Sequence, residues 1–101
     1  MVNNLKGIDS FVDVSCGTGE LPVQAVKHGF LGKIYIFDSS NLNIKITKIR
    51  LKKLGFNNLQ TFLYTNKVTD TAKEFKEIMK MNKIQPDLII QRTKPSASAI
   101  F

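Results

Sequence analysis

Two glycines and two aspartates are the residues best suited to chemistry in this chain. The first group stands in FVDVSCGTG, residues 11–19. Asp13 interrupts an apolar run, and Gly17 and Gly19 follow with one residue between them. That spacing lets a backbone turn tightly and lets a ligand come close to main-chain atoms. From Glu20 the pattern turns helical, so free N–H groups of a helix N-terminus face the same turn. The second group is Asp38, which ends the apolar run KIYIF and precedes Ser39, Ser40 and Asn41. Strand, glycine turn and helix together suit an anionic or nucleotide-like ligand. Each feature also has a plainer reading: a tight strand-to-helix turn for the glycines, a helix N-cap for Asp38.

The remaining candidates point to structure. His28 is the single histidine and falls near a helix C-terminus, where it suits the dipole better than catalysis. Cys16 reads as a small buried or loop residue. Asp9 and Asp13 form no acid–base pair, and no cluster has the spacing of metal ligands. Tyr35, Phe37, Phe62 and Tyr64 alternate on strands, as core residues do.

The elements that must position these groups can be read in order. Strands are expected over 10–15, 33–37, 59–64 and 87–90. Helices are expected over 20–28, 42–54 and 71–81, with Gly29 and Gly55 as stops and Asp70 as a cap. Pro22 falls in a first turn, where its missing N–H matters little. On the second helix Leu42, Ile46 and Ile49 are expected to form the buried stripe, with Lys53 at its margin and Leu54 extending it. On the third, Ala72, Phe75, Ile78 and Met79 are expected to face the core. Strictly alternating strands and helices predict one α/β domain with a parallel sheet, right-handed crossovers and helices on its faces. Ligands of such sheets bind beyond the carboxyl ends of the strands. Residues 13–20, 38–41, 64–66 and 91–98 meet at that edge.

Composition sets outer limits. At 101 residues with 43% apolar content, the chain can bury a core as one domain. The single cysteine excludes an internal disulfide and a cysteine-rich zinc site, which suits an intracellular, reducing compartment. No stretch reads as a signal peptide or membrane span. The net charge of +7 suits an acidic partner, nucleic acid first, or simply a soluble lysine-rich surface.

VDVSCGTGE resembles the first motif of the class I S-adenosylmethionine-dependent methyltransferases. GKIYIFD resembles their second strand with its terminal acid, NIKITKIRLKKLGFNNLQTF their second helix and third strand, and PDLII their fourth strand. The resemblance implies a Rossmann-like parallel sheet ordered 3-2-1-4 with helices on both faces, and S-adenosylmethionine as cofactor, held by Asp13, Cys16, Gly17, Gly19, Glu20, Asp38, Ser39 and Asn66. Gly17 and Gly19 would admit its methionine part. Asp13 or Glu20 would orient the loop or face the amino group, Asp38 would take the ribose hydroxyls, and Asn66 would bond adenine.

GKIYIFD with RLKKLG also resembles the RNA 5-methylcytosine methyltransferases. There the aspartate and nucleophilic cysteine after the fourth strand are replaced by Thr93 and Ser96, and the first motif differs. Gln91 and Arg92 stand where a catalytic acid is usual. The family's later strands are missing from the match, so either a partner protein is expected on the open sheet edge or the sequence is a piece of a longer protein, and the chain is expected to bind rather than to transfer a methyl group alone. A non-catalytic module binding RNA or protein is the alternative. A nucleotide-binding reductase fragment is a third, disfavoured by Pro22 at the third glycine position of G-x-G-x-x-G.

Overall fold

The computed structural model describes residues 7–14, 16–64 and 71–91. Four strands, β1 (Ser10–Val14), β2 (Lys33–Asp38), β3 (Leu59–Leu63) and β4 (Leu88–Gln91), alternate with helices α1 (Glu20–Lys27), α2 (Asn41–Lys53) and α3 (Thr71–Met81). The strands form one sheet in the expected order β3-β2-β1-β4, and every pairing is parallel. Asp13 is level with Ile36 on one side and Ile90 on the other. Asp38 is level with Leu63.

β1 and β2 are inner strands buried on both faces, which is why FVDV and IYIFD read as nearly continuous apolar runs. On one face Phe11, Ile34, Ile36 and Ile90 pack with Leu21 and Ala25 of α1 and with Cys16. On the other, Val12, Val14 and Phe37 pack with Phe75 and Met79 of α3 and with Tyr64. Phe37 is the hub of that second core. It stacks on Phe62 at 4.8 Å and meets the edge of Phe75 at 6.0 Å.

The three helices stop in the same way. The second residue past each cap donates its N–H five residues back: Phe30 to Ala25, Phe56 to Leu51 and Ile84 to Met79. The residue before it takes up a left-handed conformation, and here these are Gly29, Gly55 and Lys83. Ser40 starts α2, accepting the Asn43 N–H at 3.2 Å.

One expectation about α2 is corrected. The buried side of this helix is Ile44, Thr47 and Leu51, whereas Leu42 is 66% exposed and Ile49 55% exposed, with Leu54 also exposed. Ile46 is half-buried. The apolar residues of α2 form two opposite stripes, Leu42–Ile46–Ile49 and Ile44–Leu51, and it is the second, smaller one that is buried. The helix is instead phased by a threonine that the glycine loop requires beneath it. On α3, Phe75 and Met79 are buried as expected. The Asp70 cap and the side chain of Ala72 lie outside the described residues.

Candidate functional site

The chain leaves the carboxyl end of β1 and turns through Cys16, Gly17, Thr18 and Gly19 into α1. Gly17 has φ +60° and Gly19 φ +92°, both left-handed, where a Cβ would collide with its own backbone. The two differ in surroundings. A Cβ on Gly17 would meet nothing within 4 Å, so its α-carbon faces open space. A Cβ on Gly19 would stand 2.8 Å from Thr47 Cγ2, so Gly19 is where the loop lies against α2. Gly19 is also the N-cap of α1 and brings no side chain to it.

Asp38 clasps this loop from the neighbouring strand. Its Oδ2 accepts the Gly17 N–H at 3.0 Å, and its Oδ1 accepts the Ser40 N–H at 2.9 Å and the Asn43 side-chain amide at 3.5 Å. One carboxylate therefore ties the turn after β1 to the turn after β2. The main chain adds a second tie, Cys16 N–H to the Phe37 carbonyl at 3.3 Å. A carboxylate offers about four lone-pair positions, so Oδ2 retains acceptor capacity beyond the Gly17 bond.

α2 braces the loop from below. The Thr47 hydroxyl donates to the Gly17 carbonyl at 3.3 Å and lies 3.7 Å from Cys16 Sγ. Arg50 Nη1 donates to the Thr18 carbonyl at 2.9 Å and to Glu20 Oε1 at 2.8 Å. The Glu20 side chain is 67% exposed, which limits the ion pair to at most about 1 kcal/mol. The backbone bond to Thr18 fixes the turn.

Cys16 is buried, and burial pushes its thiol up to about 12, with the charges of Asp38 and Asp13 adding to the rise. It is a protonated packing group at neutral pH and no nucleophile. Asp13 is fully buried on β1.

The structure thus brings Asp13, Cys16, Gly17, Gly19, Glu20, Asp38 and Ser39 to one sheet edge, with Ser39 exposed beside Asp38. Asn66 lies outside the described residues, as do Arg92, Thr93 and Ser96. His28 is at the far end of α1, with its Nδ1 2.9 Å from the Gln24 carbonyl, in keeping with a capping role. Sequence reasoning missed Thr47 and Arg50. A threonine amid isoleucines and lysines was the available signal for the first. Among the described residues no three of His, Cys, Asp and Glu group as metal ligands, and no helix is long and apolar enough to cross a membrane.

No family model matches the chain, and no curated protein is detectably similar in sequence. Solved structures are similar in shape. An rRNA methylase from Streptococcus thermophilus superposes over 96% of this chain and 70% of its own, with TM-score 0.52 and 18% identity. A dimethyladenosine transferase from Plasmodium falciparum superposes over 87% of this chain and 37% of its own, with TM-score 0.53 and 17% identity. The fold is the Rossmann-like methyltransferase fold. The O-MT segment of StiE matches 60% of the chain at TM-score 0.54 and 21% identity, and there the chain spans 22% of the neighbour's length.

Proposed function

We propose that this chain binds S-adenosylmethionine at the turn between β1 and α1 and works on or beside RNA. The observation that carries the reading is Gly17: a left-handed residue at the carboxyl edge, with open space where a side chain would stand and its N–H held by Asp38. The residues present fit the cofactor. Its methionine part would approach the Gly17 and Gly19 main chain, and Asp38 Oδ2 has capacity left for a ribose hydroxyl. Ser39 stands exposed beside that carboxylate, and Glu20 is within the same turn. Asp13, Glu20 and Asp38 at this edge suit the positive charge of a sulfonium. The cofactor, when bound, supplies an electrophilic methyl group; this chain's residues orient it. Cys16 would line the turn as a protonated thiol and not as a nucleophile.

RNA as the associated substrate class is supported by the net charge of +7 and by the likeness to a structure described as an rRNA methylase. The test is a backbone amide NMR titration with S-adenosylmethionine. The reading expects saturable shifts at Gly17, Thr18, Gly19, Glu20, Ser39 and Ser40, with β3 and α3 unmoved. Shifts scattered over the surface, or none, would overturn it.

A further inference from the structure

The charge of this chain is unevenly placed. No acidic residue stands between Asp38 and Asp70, yet α2 within that stretch carries Lys45, Lys48, Arg50, Lys52 and Lys53. Arg50 is occupied with Glu20 and the Thr18 carbonyl. The four lysines are exposed, and among the described residues none of them is in an ion pair. Wound at about 100° per residue, Lys48, Lys52, Lys45, Ile49, Leu42 and Lys53 fall within an arc of about 140°, and Lys45 to Lys53 cover about 12 Å of helix axis. α3 is different, since its exposed Lys73, Lys76 and Lys80 are interspersed with Glu74 and Glu77.

We infer that this outer face of α2 is a docking surface for the phosphate backbone of RNA. The RNA identity rests on the function proposed above; the phosphate chemistry rests on the helix itself. Lysines act on phosphates as movable point charges, and four with no acid among them are complementary to a polyanion. Some of this charge favours the helix dipole, but Lys45 and Lys48 lie too far from the C-terminus for that. A bilayer fits the face less well. The apolar side of α2 is spent on the sheet, and only Leu42 and Ile49 remain to enter lipid between four lysines. The face lies on the side of α2 turned away from the glycine turn, which α2 meets through Thr47 and Arg50.

The test is fluorescence anisotropy of the full chain with a short labelled single-stranded RNA, titrated at several salt concentrations. Two variants are compared: Lys45→Ala/Lys48→Ala/Lys52→Ala/Lys53→Ala, and Lys73→Ala/Lys76→Ala/Lys80→Ala as a charge control. Thermal unfolding verifies that both are folded. Each phosphate contact contributes about 0.7 to the slope of log K against log salt, so the α2 variant should lose about 2 to 3 from the slope and more than tenfold in affinity. The α3 variant should lose much less. Equal losses in both variants, or an unchanged slope in the α2 variant, would overturn the proposal. So would α2-dependent binding to phosphatidylserine vesicles or to an acidic peptide without binding to RNA. Calorimetry with S-adenosylmethionine separates the two readings. RNA binding through α2 without cofactor binding would sink the cofactor reading and leave this one standing.

Discussion

Gly19 and Thr47 are in contact so close that the loop and α2 behave as one piece: a methyl group on Gly19 would stand 2.8 Å from Thr47 Cγ2 and 2.9 Å from its Oγ1. Gly19→Ala combines that clash with a left-handed φ of +92°. The expected loss is about 2–4 kcal/mol in urea unfolding. Thr47→Ala removes the two nearest atoms and leaves Cβ at 3.2 Å. The double variant should therefore be clearly more stable than the sum of the single losses predicts, a coupling that a double-mutant cycle reads directly.

Asp38 should act first as a clasp. Asp38→Ala leaves the Gly17 and Ser40 N–H groups without their acceptor, and hydrogen bonds to a charged group contribute about 1.5–3 kcal/mol each. Partial access to water lowers the net effect to an expected 2–4 kcal/mol. Amide hydrogen exchange should quicken at Gly17 and Ser40 before the β1 amides change. An unchanged midpoint with unchanged exchange would remove Asp38 from this role.

Cys16 sets a testable pH dependence. Its thiol ionises near 9.0 ordinarily and is pushed up to about 12 in the fold. The folded state thus holds a proton that the unfolded state gives up. The contribution is complete below pH 9 and is lost as pH rises from about 9 towards 12. Cys16→Ala should flatten the alkaline fall in stability. At neutral pH the native thiol should react with a disulfide reagent far more slowly than in urea.

Lys83 occupies, at φ +56°, the position that Gly29 and Gly55 hold after the other helices. The left-handed conformation disfavours a side chain by about 1–2 kcal/mol, and the greater freedom of glycine in the unfolded chain offsets part of this. Lys83→Gly should stabilise by up to about 1 kcal/mol, seen as a higher urea midpoint.

The fold was legible because its signals are local and agree with one another. KIYIF, DLII and FVDV are too apolar and too short for anything but inner or half-buried strands. Gly29 and Gly55 punctuate the helices between them. The α2 face was not legible, because periodicity ranks Leu42 and Ile49 above Thr47. Only the approach of Gly19 in three dimensions makes a threonine the right buried residue. The site was legible in its glycines and Asp38, whose types are scarce and strand-terminal. Arg50 was hidden among lysines, since nothing in its neighbourhood distinguishes a loop tie from a solvated charge.

The most direct test of the account is isothermal titration of S-adenosylmethionine into the wild-type chain and into Gly17→Asn. Asparagine tolerates the left-handed φ of +60° at this position and places its side chain where nothing now stands within 4 Å. The account predicts one-site binding by the wild type, and at least a tenfold loss in Gly17→Asn with an unfolding midpoint close to wild type. Absence of binding by the wild type, or equal affinity in the two proteins, would contradict it.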